Sequence, residues 1–106
     1  MRATYHTTDA SGTTLICPDE KGIEGVLDSL GEADDADFPD VSLIHVSGWA
    51  VTINNRRIAV LERLRVDDVS LKVLPLKGKD EALKIWLQLA RGDVAGVLNR
   101  WAWKLP

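Results

Sequence analysis

The sequence is poor in the residues from which recognisable site chemistry is usually built. Its 106 residues include one cysteine, Cys17, and two histidines, His6 and His45. A single thiol forms no intrachain disulfide, so a reducing, cytoplasmic setting is the expectation. A metal centre needs convergent ligands at short spacing, and the chain has no HxxxH, CxxC or HExxH pattern. It also lacks GxSxG, the Walker loop and GxGxxG. No metal, cofactor or catalytic residue is therefore expected, and the chain reads as a non-enzyme. No apolar run approaches the roughly 20 residues that span a bilayer. The opening M-R-A-T-Y-H-T-T-D has no apolar leader core. A net charge of -3 and a pI near 5.3 disfavour a general binder of nucleic acid or anionic membrane.

What the chain does have is the material of one modest core. Apolar residues make up 45% and charged residues 27%, which suits a globular domain rather than a disordered one. No linker or repeat divides it, so residues 1–106 form one domain. R-A-T-Y-H-T-T and T-T-L-I-C are β-prone and flank Asp9-Ala10-Ser11-Gly12, which is turn chemistry. Cys17 closes the second strand and is expected to be buried. Pro18 opens a helix with Asp19 and Glu20 in its first turn. Ile23, Val26, Leu27 and Leu30 share one face, and Gly31 stands where a C-terminal cap belongs.

A meander of four strands is expected to follow. Asn54-Asn55 suits a two-residue hairpin turn. That register sets Val51 against Ile58 and Trp49 against Val60, and gives Trp49, Val51, Ile53, Ile58 and Val60 one face. Ser47-Gly48 reads as another tight turn, placing Ile44 and Val46 on the same face. V-S-L-K-V-L-P then alternates, with Val69, Leu71 and Val73 inward and Pro75 at the strand end.

K-D-E-A-L-K-I-W-L-Q-L-A-R is a helix stopped by Gly92. Its polar line is narrow: Glu81, Lys84, Gln88 and Arg91. The rest is apolar over a wider arc than a surface helix shows, so it must be covered on two sides. A short last helix, capped by Asp93 and carrying Val94, Val97, Leu98 and Trp101, supplies one cover. A dimer partner would be the other way to do it. Trp103 lies about 200° beyond Trp101 on a continued helix, so the two rings cannot share a helical face. Trp103 either folds back onto the sheet or stands exposed for a partner. The whole reads as an α+β fold: a mainly antiparallel sheet, built from an N-terminal hairpin and a four-strand meander around the first helix, with two C-terminal helices packed on one face.

Charge is unevenly spread. From Asp19 to Asp40 there are nine acids and one base, Lys21, whereas bases exceed acids in the remainder. Residues 31–40 form the acidic loop. D-D-A-D-F-P-D lacks the alternating acids, central glycine and closing Glu of a calcium-binding loop. Glu32, Asp34, Asp35 and Asp37 are the candidate partner-binding residues, with Trp103 beside them. Arg56, Arg57, Arg63 and Arg65 are the candidates for a nucleic-acid surface. That reading is disfavoured because exposed aromatics do not interleave with them. His45 and Glu62 could make an acid–base pair only if a pocket joined them.

The strings S-G-W-A-V-T-I, R-R-I-A-V-L-E-R-L, D-E-A-L-K-I-W-L-Q-L-A-R-G-D and R-W-A-W, spread over residues 19–103, resemble small bacterial immunity proteins of contact-dependent or secreted polymorphic toxin systems. Those are often single α+β domains with an acidic surface and no catalytic residues. The resemblance implies a stoichiometric inhibitor that covers a basic toxin domain. The other readings are a self-associating regulatory or structural module, with a homodimer as its assembly, and a nucleic-acid binder. None of the three implies a membrane.

Overall fold

The computed structural model of the protein describes residues 4–32, 40–63 and 71–105. Six strands and three helices follow in the order β1 (Tyr5–Thr8), β2 (Thr14–Ile16), α1 (Glu20–Glu32), β3 (Asp40–His45), β4 (Trp49–Asn54), β5 (Ile58–Arg63), β6 (Lys72–Pro75), α2 (Lys79–Ala90) and α3 (Val94–Arg100). The strands form one antiparallel sheet in the order β2-β1-β3-β4-β5-β6. The α+β class, the N-terminal hairpin and the C-terminal helix pair are as expected from the sequence.

One face of the sheet is the core. Val41, Leu43, Val51, Ile53, Ala59, Leu61 and Leu74 are buried there against Ile23, Val26 and Leu27 of α1, Ile85, Trp86 and Leu89 of α2, and Val97 of α3. Helix α2 packs against both α1 and α3 as well as β3 and β4. The apolar arc that was too wide for a surface helix is thus covered within the molecule. Gln88 departs from the expected polar line. It is only 5% exposed, because the Trp101 indole N–H donates to its Oε1 at 2.8 Å.

The hairpin register corrects the expected one. Val51 faces Leu61, and Trp49 faces Arg63. The β4–β5 turn uses three residues, 55–57, rather than two. The Asn54 carboxamide oxygen accepts from the N–H groups of Arg56 and Ile58, and Arg57 adopts a positive φ of 61°. This is a tight turn followed by a left-handed residue. The resulting shift is odd, so β5 turns over. Ala59 and Leu61 enter the core, while Ile58 and Val60 lie on the other face.

The β3–β4 connection is a turn, as expected, and closes in the same way, with Gly48 at φ 96°. It puts Val41 and Leu43 inward. Ile44 therefore sits on the open face opposite Ala50, and Val46 is exposed. On β6 the inward residue is Leu74, and Val73 faces outward opposite Val60. Val69 lies outside the described residues.

Local chemistry sets the helix ends. Asp19 lies just outside α1 rather than in its first turn, and its Oδ1 accepts from the Gly22 N–H at 2.9 Å. A Cβ at Gly22 would stand 2.8 Å from the Pro18 Cβ, so the chain can enter α1 this tightly only with glycine there. Gly31 does not end the helix, which continues to Glu32. Asp93 caps α3 as expected, accepting from the Gly96 N–H. Cys17 is exposed rather than buried, because β2 is the sheet's edge and all three of its residues are exposed.

Candidate functional site

The acidic residues are arranged by helical geometry. Glu20, Glu24 and Asp28 recur every four residues along α1, which places them in one row. Glu20 and Asp28 are exposed and Glu24 is half-buried. Like charges at this spacing destabilise a helix by about 0.2–0.5 kcal/mol per pair. One member has a counter-ion: Asp28 meets the Lys79 ammonium at 2.8 Å. That bond, with nearby Glu24 and Asp80 in addition, holds the Lys79 pKa above its usual value. Both partners are about half exposed, so the pair adds little stability. Asp34, Asp35 and Asp37 lie outside the described residues. Asp40, the last acid of the series, opens β3 and is exposed.

Trp103 does not stand free. The helix ends at Arg100, Trp101 is extended, and the chain folds back. The Trp103 indole N–H donates to the Val97 carbonyl at 2.7 Å, and the ring packs half-buried against the core. Its neighbour Lys104 exchanges backbone hydrogen bonds with Val73 on the edge of β6.

The other candidates are dispersed. His45 and Glu62 lie on opposite faces of the sheet. Glu62 shares a row with Ala50 and Ile44, and His45, next to Ile44 in the chain, points to the other side. The His45 Nδ1 is engaged by its own turn, 2.8 Å from the Ser47 Oγ and accepting from the Ser47 N–H. Arg56 and Arg57 occupy one end of the β4–β5 hairpin, and Arg63 the far end of β5, on the order of 20 Å away. Arg63 is stacked on Trp49, its guanidinium carbon 5.5 Å from the ring centre. These arginines therefore form no single groove, and Arg65 lies outside the described residues. Among the described residues, no three His, Cys, Asp or Glu side chains converge as metal ligands.

Among the described residues, two cavities open beside the helices. One, of about 280 Å³, has an apolar floor that includes Leu27, Ile53, Leu76 and Ala82, and a rim carrying the Asp28–Lys79 pair and Arg57. The other, of about 360 Å³, lies between α2 and α3 and is lined by Lys84, Leu87, Gln88, Arg91, Arg100 and Trp101. Sequence reasoning passed over this second group. Lys84, Gln88 and Arg91 appeared only as the polar line of α2, and Arg100-Trp101 only as the end of α3. The signal was the polar edge of α2 and the cation at the end of α3, but only the packing of the two helices encloses a space between them.

The fold and these surfaces define a class: an antiparallel six-stranded sheet with a three-helix layer on one face and its charges sorted between helices. No protein-family model matches the chain, and no curated protein and no solved structure matches it either.

Proposed function

We propose that the protein is a non-enzymatic binding domain that neutralises a cognate toxin by covering a basic surface with its own acidic one. The observation that supports this most is the row Glu20, Glu24 and Asp28 on α1, running in sequence into Glu32, Asp34, Asp35, Asp37 and Asp40. The row costs the helix stability by itself, and a cationic partner would offset that cost. Steering by such a surface speeds association and is lost as salt rises.

Co-expression of the tagged chain with the product of the neighbouring gene tests the proposal. The expected result is a one-to-one complex that survives purification and loses the partner's toxicity. Replacing Glu20 and Glu24 by Lys should slow association at low salt, with the fold of the variant checked by circular dichroism. A neighbouring product that co-purifies in no buffer, and remains toxic in the presence of the chain, would overturn the reading.

A further inference from the structure

The charged residues lining the cavity between α2 and α3 all carry one sign. Lys84, Arg91 and Arg100 bring three cations to it, and no carboxylate is among its lining residues. The one side-chain ion pair found among the described residues is Asp28–Lys79, elsewhere on the helix layer. Gln88 adds a polar side chain on a residue only 5% exposed. Its oxygen is occupied by the Trp101 indole N–H, which leaves its two amide N–H groups as what it offers a ligand. Leu87 and Trp101, both half-buried, are the apolar part of the wall.

Helix C-termini favour cations, which accounts for Arg91 and Arg100 one at a time. It does not account for Lys84, in the middle of α2, or for the convergence of all three on one concavity. Like charges gathered this way repel one another and call for an anion. At about 360 Å³ the space falls in the size range of small-ligand sites. Guanidinium groups bind phosphate through paired N–H donors, and an indole offers a flat surface for a planar ring.

We propose that this cavity is a binding site for a free nucleotide, with the phosphates held by Lys84, Arg91 and Arg100 and the base against Trp101. The site is separate from the acidic row of α1, and the proposal does not depend on what that row binds.

Titration of the full-length protein with ATP, adenosine and inorganic triphosphate tests it, followed by two-dimensional NMR of backbone and indole N–H groups. ATP should shift the Trp101 indole and Arg91 signals, and bind more tightly than either fragment. Arg91→Ala and Arg100→Ala should each weaken ATP binding about tenfold, the loss expected for a charge-assisted contact. Both side chains are exposed, so both variants should fold, with only the small drop in unfolding midpoint expected for losing a cation at a helix end. Trp101→Phe should retain most of the affinity and Trp101→Leu should lose it, with folding of each checked by circular dichroism. Triphosphate binding as tightly as ATP would remove the base from the proposal. Adenosine binding as tightly would remove the cations. Shifts that map away from α2 and α3, or no shifts at millimolar ATP in dilute buffer, would overturn it.

Discussion

Thr7 and Trp86 are fully buried, and neither the Thr7 Oγ1 nor the Trp86 Nε1 has a hydrogen-bond partner among the described residues. A buried polar atom left unpaired costs about 1–3 kcal/mol. Thr7 sits on the core face of β1 between Leu15 and Leu43. Thr7→Val keeps the shape and removes the orphan hydroxyl, and should stabilise the protein by about 1 kcal/mol. The urea midpoint should rise at an unchanged slope. A fall in the midpoint would mean that the hydroxyl is bonded in solution. Gln88 is the contrasting residue, 5% exposed but with its side-chain oxygen accepting from the Trp101 indole N–H. Helical periodicity assigns Gln88 to the polar side because a partner 13 residues away leaves no mark on that pattern.

The turns govern what happens to each element. In the β1–β2 turn, Asp9 Oδ1 accepts from the hydroxyl and N–H of Ser11 and from the N–H of Thr13. The Ser11 hydroxyl and then the Thr13 N–H hold the Asp9 pKa below its usual value. A carboxylate depressed in the folded state contributes stability above its unfolded value of about 3.9, and that contribution is lost as pH falls through the lower folded value. Asp9→Asn keeps an acceptor oxygen but does not titrate. Urea unfolding across an acid series should therefore show wild type falling relative to the variant as Asp9 protonates. Parallel curves would show that Asp9 is not linked to folding.

The same turns mark how far the elements are legible. Strand and helix positions follow from apolar periodicity, because that pattern is local. Register does not, since Asn54-Asn55 fits a two-residue turn as well as it begins a three-residue one. The choice falls to Asn54, whose side chain accepts from Arg56 and Ile58 and draws Arg57 into the left-handed region. An odd shift then exchanges Ile58 and Val60 for Ala59 and Leu61 in the core. Both versions of β5 are apolar on each face, so composition could not choose between them.

At the scale of the whole molecule, the C-terminal tail covers part of one edge of the sheet. Lys104 pairs with Val73 on the edge strand β6, and Trp103 anchors that pairing through Val97. Unpaired edges invite association with other chains, and a short covering strand limits this. Trp103→Ala should cost about 2 kcal/mol, less than a fully buried Trp because the ring is half-buried. It should also speed hydrogen exchange at the Val73 amide, whose acceptor is the Lys104 carbonyl. Unchanged exchange at Val73 would show that the tail holds without its tryptophan.

The charge map also belongs to this scale. The acids of α1 form one row because helical geometry repeats every 3.6 residues, and the sequence alone determines that. It determines equally the α+β class, the element order and the cap at Asp93, each set by neighbours within a few positions. Which face of β5 is buried, where Cys17 and Trp103 end up, and whether His45 meets Glu62 were decided only by the tertiary structure. So was the meeting of Lys84, Arg91 and Arg100 around one cavity. These depend on contacts between residues far apart in the chain, and on turn geometry in which a single extra residue reverses the side to which every following side chain points.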